Sequence, residues 1–186
     1  MKRIAVFASG SGSNAENIAR YFQEKPIAEV SLILSNNSHA FVLERADNLG
    51  ISTHVFTRHE FYETDEVVKI LKKHEIDLVV LAGFLWLIPQ SLIRSFPNRI
   101  VNIHPALLPK YGGKGMYGMK VHQTVIESGD CESGITIHMV NEKYDEGKIL
   151  FQGRCSVESD DTPEDLAQKV HELEYEYYPK IIEQLL

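Results

Sequence analysis

The sequence predicts an α/β fold: a single domain with a mostly parallel, twisted sheet, helices on both faces, and an antiparallel pair of strands towards the C-terminus. Over the first hundred residues, apolar runs of strand length alternate with segments of helical periodicity, which is typical of a parallel sheet with crossover helices. The run over 77–82 is apolar after its first residue, as in strands buried on both faces. Two longer runs, over 133–140 and 148–157, flank a polar loop and predict the antiparallel pair.

Each element in the first part of the chain has its own local signal. The apolar run over 2–8 predicts a buried strand, and the Gly/Ser loop after it leads into a helix over 14–23. A helix over 41–49 stops at Gly50, because glycine commonly closes helices. The remaining predicted elements are strands over 30–35, 53–56 and 99–103, a helix over 65–74, and a short helix over 89–95 that begins with proline.

The pattern changes after residue 105. A glycine-rich segment covers 109–119, and a helix is predicted over 120–128, before the antiparallel strands. The last helix begins at Thr162, since this residue can cap it, proline follows at the first helical position, and two acids favour the positive end of the helix dipole.

Composition and charge exclude several classes of protein. With 186 residues, of which 44% are hydrophobic, the chain has the length and composition of one globular domain. The net charge of −7 argues against nucleic-acid binding, and no run approaches the about 18 apolar residues of a membrane helix. The N-terminal apolar run is too short for a signal peptide, so we expect a cytoplasmic protein without nucleic-acid or membrane partners. Cys131 and Cys155 are expected to be free, buried thiols.

A loop of small residues over 9–14, between the first strand and the first helix, predicts an anion site. Backbone N–H groups at a helix N-terminus favour an anion, and Ser13 and Asn14 add side-chain donors. The loop also fits a simple capped turn, or the G-x-G-x-x-A fingerprint of nicotinamide cofactors. That fingerprint needs an acid at the end of the second strand, where this chain has Ser-Asn-Asn over 35–37, so one phosphate is favoured over a dinucleotide.

Two polar side chains end the predicted strand over 99–103. Asn102 and His104 are two residues apart, which places them on one face of a strand, and the ends of parallel strands are where α/β proteins bind ligands. Pro105 favours an extended backbone at His104. An amide can donate to a developing oxyanion and an imidazole can carry a proton near neutral pH, whereas a purely structural role is the alternative.

An acid that could complete this pair is less evident. The polar loop over 141–147 contains Glu142, Asp145 and Glu146, and their spacing does not distinguish among them. The eight histidines show neither H-E-x-x-H nor a paired Cys/His spacing, so we expect no metal.

Four segments, over 7–14, 81–84, 102–111 and 138–147, follow one another in a familiar order. Together they resemble the phosphoribosylglycinamide formyltransferases, a family of folate-dependent enzymes of purine synthesis. The block Asn-Ile-His-Pro-Ala-Leu-Leu-Pro is highly specific to folate formyl-transfer domains. The resemblance implies a Rossmann-like formyltransferase fold over 1–186, with a phosphate-binding half over 1–103 and a half over 104–186 that carries the folate and catalytic loops.

The resemblance also implies a reaction and a set of site residues. The reaction is transfer of a formyl group from the co-substrate 10-formyltetrahydrofolate to the amine of glycinamide ribonucleotide in IMP synthesis, without a metal. A homodimer is compatible with the sequence, which does not determine the oligomeric state. The implied catalytic residues are Asn102, His104 and Asp145, and the residues implied to bind the substrate phosphate and ribose are Gly12, Ser13, Asn14, His171 and Glu174. Folate is implied to contact Leu85, Trp86, Leu87, Ile88, Val140 and Asn141, as well as Asn102 and Asp145.

The chain departs from the family pattern in places. Trp86 and Thr64 stand where relatives often have arginine, and Arg58 is a candidate substitute for the folate-contacting arginine. The loop over 112–119 is about three residues longer than the commonest form, and Lys120 replaces a frequent histidine.

Other functions share parts of this pattern. A formyl-folate hydrolase or another folate-dependent formyltransferase would use the same Asn, His and Asp set with a different acceptor. An NADP-binding reductase is a remote alternative that lacks its acid here, and a ligand-binding module without catalysis would not need this set.

Overall fold

The computed structural model describes residues 1–186 and contains one seven-stranded sheet. The strands are β1 (Lys2–Phe7), β2 (Ala28–Ser35), β3 (Ser52–Val55), β4 (Leu78–Leu81), β5 (Ile100–His104), β6 (Glu132–Met139) and β7 (Ile149–Ser156). The helices are α1 (Ser13–Glu24), α2 (Val42–Asn48), α3 (Arg58–Tyr62), α4 (Glu66–Lys73), α5 (Gln90–Ser95), α6 (Met119–Ser128) and α7 (Pro163–Gln184). The strand order is β3-β2-β1-β4-β5-β6-β7. The pairs β1–β2, β1–β4 and β2–β3 are parallel and β6–β7 is antiparallel, which confirms the predicted fold class.

Residues 1–101, with Leu186, form the first of two compact units. Within it, β1 is parallel to both β2 and β4, and β3 is parallel to β2. Every residue of β4 is buried, as predicted from its apolar sequence. Helices α1 and α2 pack against β2, and the buried face of α1 consists of Ala15, Ile18, Ala19 and Phe22, which follow helical spacing.

Residues 102–185 form the second unit. Here β6 and β7 make a hairpin with a register irregularity between Ile137 and His138. The long helix α7 packs on both strands and on α6. It begins as predicted, because Thr162 and Asp165 form a capping box and Pro163 occupies the first turn.

All predicted elements are present, with ends that differ by at most two residues. One helix, α3, was not predicted, although Thr57 and Glu60 form the capping box that its Thr-x-x-Glu sequence encodes. The expectation of two buried thiols was wrong for Cys131, which is exposed, whereas Cys155 is half-buried; both are free. No helix is both long and apolar enough to cross a bilayer.

Candidate active site

The end of β5 carries Asn102 and His104, and the structure brings both near Asp145. His104 is 4% exposed, and its Nδ1 atom lies 3.6 Å from Asp145 Oδ2. The Nε2 atom of His104 is 2.7 Å from the carbonyl oxygen of Tyr111. Because a carbonyl can only accept, Nε2 must carry a proton, and Nδ1 is the nitrogen of His104 that can gain or lose one.

Asp145 in the β6–β7 loop faces the His104 imidazole, whereas Glu142 and Glu146 in the same loop are exposed to solvent. Asp145 adopts a left-handed backbone conformation (φ +55°), and its Oδ2 atom accepts a hydrogen bond of 2.9 Å from the Gly113 N–H. Only 12% of its side chain is exposed, against 60% for Glu146, which pairs with Lys143. Glu142 is also exposed. The tertiary structure therefore selects one of three acids that the sequence left equivalent.

A buried imidazole, to which the sequence analysis assigned no role, joins Asn102 to Asp145. The Nδ1–H of His138 donates to the Met139 carbonyl at 2.9 Å, so Nε2 is free to accept from the Asn102 amide at 3.1 Å. The same Nε2 atom is 3.6 Å from Asp145 Oδ1. The available sequence signal was a histidine two residues after Thr136, a spacing that places two side chains on one face of a regular strand.

Burial and the neighbouring polar and charged groups together set the protonation state of the cluster. The pKa of His104 is lowered, because loss of solvation outweighs the opposing influences of the Asp145 charge and the Tyr111 carbonyl. Burial also acts to raise the pKa of Asp145, but His138, His104 and the Gly113 amide together hold that pKa below its usual value. At neutral pH, a neutral imidazole therefore faces an ionised carboxylate.

The predicted anion loop lies at the N-terminus of α1. Gly12 is the N-cap residue in a left-handed conformation (φ +73°), and a Cβ there would come within 2.2 Å of Val42, so only glycine fits. Two hydrogen bonds from α2 hold the loop in place. The Val42 N–H donates to the Gly10 carbonyl at 3.1 Å, and Arg45 Nε donates to the Ser11 carbonyl at 2.9 Å. No side chain caps α1. The first N–H groups of α1, together with Ser13 and Asn14, which are half-buried, are the donors expected to bind an anion.

The 85–88 segment is tied to its surroundings through backbone atoms. The Leu85 N–H donates to Ser9 Oγ at 3.1 Å, and Tyr62 Oη donates to the Leu87 carbonyl at 2.9 Å. Leu85 is exposed, whereas Ile88 is buried and Leu87 is half-buried. The segment therefore presents apolar side chains from a fixed backbone.

Trp86 belongs to an aromatic cluster rather than standing free. Its ring lies 5.8 to 6.4 Å from the rings of Phe56, Phe61, Tyr62 and Phe84. The Arg58 guanidinium lies over Tyr62 and Trp86, at 4.9 and 5.6 Å from the ring centroids.

The remaining predicted site residues lie in the second unit. Asn141 Oδ1 accepts from the Lys143 N–H at 3.0 Å, which forms the turn that leads from Val140 towards Asp145. On α7, His171 Nε2 is 4.0 Å from Glu174 Oε2, and 52% of the histidine side chain is exposed against 8% of the glutamate. No group of three or more His, Cys, Asp or Glu side chains has a metal-binding arrangement.

Comparisons with known proteins agree with this architecture. The family described as formyl transferase matches residues 2–182. A chloroplastic phosphoribosylglycinamide formyltransferase of Arabidopsis thaliana is 44% identical over 97% of this chain and 64% of its own length, so this chain spans less than two thirds of that relative. The phosphoribosylglycinamide formyltransferase of Bacillus subtilis (strain 168) is 36% identical over 100% of this chain and 95% of the relative.

Solved structures are also similar to this chain in both fold and sequence. The phosphoribosylglycinamide formyltransferase of Streptococcus pneumoniae TIGR4 superposes with a TM-score of 0.87 at 37% identity, covering 100% of this chain and 99% of that one. Glycinamide ribonucleotide transformylase 1 of Geobacillus kaustophilus reaches 0.90 at 33% identity, with coverage of 100% and 99%. With the family match over residues 2–182, these similarities show that the chain belongs to the formyl transferase family.

Proposed function

We propose that this protein transfers the formyl group of 10-formyltetrahydrofolate to the amine of glycinamide ribonucleotide in purine (IMP) biosynthesis. The observation that carries the proposal is the buried cluster of Asn102, His104 and Asp145, in which a neutral imidazole faces an ionised carboxylate beside an oriented amide. Relatives of this chain that carry the name of this enzyme support the choice of substrates.

The other predicted residues have the chemistry that the two substrates require. The loop of Gly12, Ser13 and Asn14 would hold the substrate phosphate on backbone and side-chain donors. His171 and Glu174 on α7 would contact the ribosyl part. The folate would lie against apolar Leu85, Leu87 and Ile88 with Trp86, and against Val140 and Asn141 on the loop that leads to Asp145.

In the proposed reaction, the substrate amine forms a bond to the formyl carbon, whose oxygen becomes an oxyanion before the bond to the folate nitrogen breaks. Asn102 donates one amide N–H to His138, and its second N–H would stabilise the oxyanion. Nδ1 of His104 accepts the proton that the amine loses and returns it to the folate nitrogen. The charge of Asp145 stabilises the imidazolium formed between these steps.

We propose that the protein acts in the cytoplasm on these small molecules. The structure contains no helix that could span a bilayer, although the Arabidopsis relative carries the description chloroplastic.

The test is a spectrophotometric assay with 10-formyltetrahydrofolate, in the presence and absence of glycinamide ribonucleotide. We expect folate product only when the ribonucleotide is present, and at least a hundredfold lower kcat for His104→Ala, as general acid–base help contributes about 10²–10⁴ in rate. His39→Ala, at an exposed histidine, is the matched control and should retain parental turnover. Product without the ribonucleotide would indicate a hydrolase, and near-normal turnover of His104→Ala would exclude the assigned role.

A further inference from the structure

The catalytic imidazole is held by a residue whose own position depends on a more distant acid. The Tyr111 carbonyl receives the Nε2–H of His104 at 2.7 Å. At the other end of the same residue, Tyr111 Oη donates to Asp130 Oδ2 at 2.7 Å, and Lys110 Nζ donates to that oxygen at 2.9 Å. These contacts join Asp130 to His104 through one tyrosine.

Tyr111 needs such a support. Its backbone is left-handed (φ +56°), a conformation that is unfavourable for residues with a Cβ and persists only when surrounding contacts impose it. Two residues after Tyr111, the Gly113 N–H donates to Asp145 Oδ2. The short segment over 111–113 therefore supplies both the acceptor for His104 and a donor for Asp145, so a shift of Tyr111 would disturb the two groups together.

Asp130 is well placed to provide this support. It follows Gly129, which closes α6 in a left-handed conformation (φ +68°), and lies two residues before Glu132, the first residue of β6, so its backbone is held near the ends of two elements. The hydrogen bond from Lys110 and the weaker influence of the one from Tyr111 both lower the pKa of Asp130, so this carboxylate is ionised at neutral pH. The Lys110 and Asp130 side chains are 66% and 28% exposed, and so exposed an ion pair contributes little to stability. The importance of Asp130 is therefore that it positions the Tyr111 side chain, not that it stabilises the fold.

We propose that Asp130 is a positioning residue for the reaction: through Tyr111 it fixes His104 as the tautomer protonated on Nε2, with Nδ1 directed at Asp145. The proposal rests on the proposed function for its effect on turnover, but the tautomer is a property of the free protein. Without the Asp130–Tyr111 bond, the Tyr111 carbonyl would move and Nε2 would lose its acceptor. His104 would then populate both neutral tautomers, and part of the protein would present a protonated Nδ1 that cannot accept the proton of the amine.

The test compares Tyr111→Phe and Asp130→Ala, each of which removes one partner of the Tyr111–Asp130 hydrogen bond, with Glu132→Ala. Glu132 is the matched control, since it is an exposed acid two residues further along that pairs with Arg154 and not with Tyr111. Nitrogen-15 NMR of the His104 ring reports its tautomer, thermal unfolding reports whether each variant is folded, and steady-state kinetics report kcat and KM. We expect Tyr111→Phe and Asp130→Ala to give a mixed tautomer and about tenfold lower kcat with unchanged KM, and Glu132→Ala to match the parent in tautomer and kinetics.

Several results would overturn the proposal. They are a parental tautomer in folded Tyr111→Phe and Asp130→Ala, a lower kcat without a change of tautomer, or a changed tautomer with parental kcat. If Tyr111→Phe does not fold, the Asp130→Ala result decides. The proposed function fails separately, if the parent protein transfers no formyl group, and in that case the NMR result still establishes or refutes the control of His104 by Asp130.

Discussion

A third buried histidine, outside the His104–His138 cluster, should make the protein sensitive to acid. His122 lies in α6 with only 3% of its surface exposed, and its Nδ1 atom is buried without a hydrogen-bond partner. Burial, with the nearby His171 and His104 as smaller influences, lowers its pKa from 6.5 to about 4. The folded protein therefore binds a proton at this site much less readily than the unfolded chain does.

The sign and size of the effect follow from this difference. At about 1.4 kcal/mol for each tenfold change in proton affinity, the fall in pKa from 6.5 to about 4 corresponds to about 3 kcal/mol. Because the folded-state pKa lies below the unfolded one, this contribution to stability is fully present above pH 6.5 and is lost as the pH falls towards 4. The carboxylates whose pKa values are lowered, such as Asp145, lose their contribution at still lower pH.

The perturbation is His122→Leu, which replaces the imidazole by an apolar side chain that does not titrate. We would measure the free energy of unfolding by urea denaturation at pH 7.5 and pH 4.5. The parent should lose about 2–3 kcal/mol more than the variant between these values. The lowered pKa of His104 contributes to the pH dependence of both proteins.

A control and a refuting outcome complete this experiment. His39→Gln, at an exposed histidine, should show the same pH dependence as the parent. If the parent and His122→Leu lost stability in parallel between pH 7.5 and pH 4.5, burial would not control the protonation of His122, and the reasoning would be refuted.

Two further predictions test the support of the site and of the fold. In Gly147→Ala, a Cβ would lie 1.6 Å from the Met139 carbonyl oxygen, so the β6–β7 loop must open and displace Asp145. We therefore expect at least tenfold lower kcat in the formyl-transfer assay. A parental kcat would show that the loop adapts without moving Asp145. Thr162→Ala removes the capping box of α7 and should lower the free energy of unfolding by about 1 kcal/mol in urea denaturation; Thr162→Ser keeps the hydroxyl and should remain close to the parent, and an equal loss in both variants would argue against the cap.

The elements of the fold were predictable because their signals are local. Apolar periodicity, Gly50 after α2, and Thr162 with Pro163 before α7 locate strands and helices from a few neighbouring residues. The one missed helix, α3, has five residues, which is too short for a periodic signal, and only its capping box marks it.

The candidate site was predictable in part. Asn102 and His104 could be identified because they share one strand end, whose geometry follows from a spacing of two residues. Asp145 was identified only through the family resemblance, since a loop acid acquires its role from the fold around it. His138 is distant from β5 in sequence, and nothing local indicates that its imidazole lies 3.1 Å from the Asn102 amide.

By itself, the sequence determined the order of the strands and helices, the polar end of β5 and the glycine loop before α1, because each depends on residues close together in the chain. Only the tertiary structure decided that Asp145 rather than Glu142 or Glu146 faces His104, that the Tyr111 carbonyl selects the protonated nitrogen, and that the imidazole is neutral. The physical reason is that orientation, desolvation and charge pairing arise between segments far apart in sequence, and these set a pKa and a tautomer that no local pattern encodes.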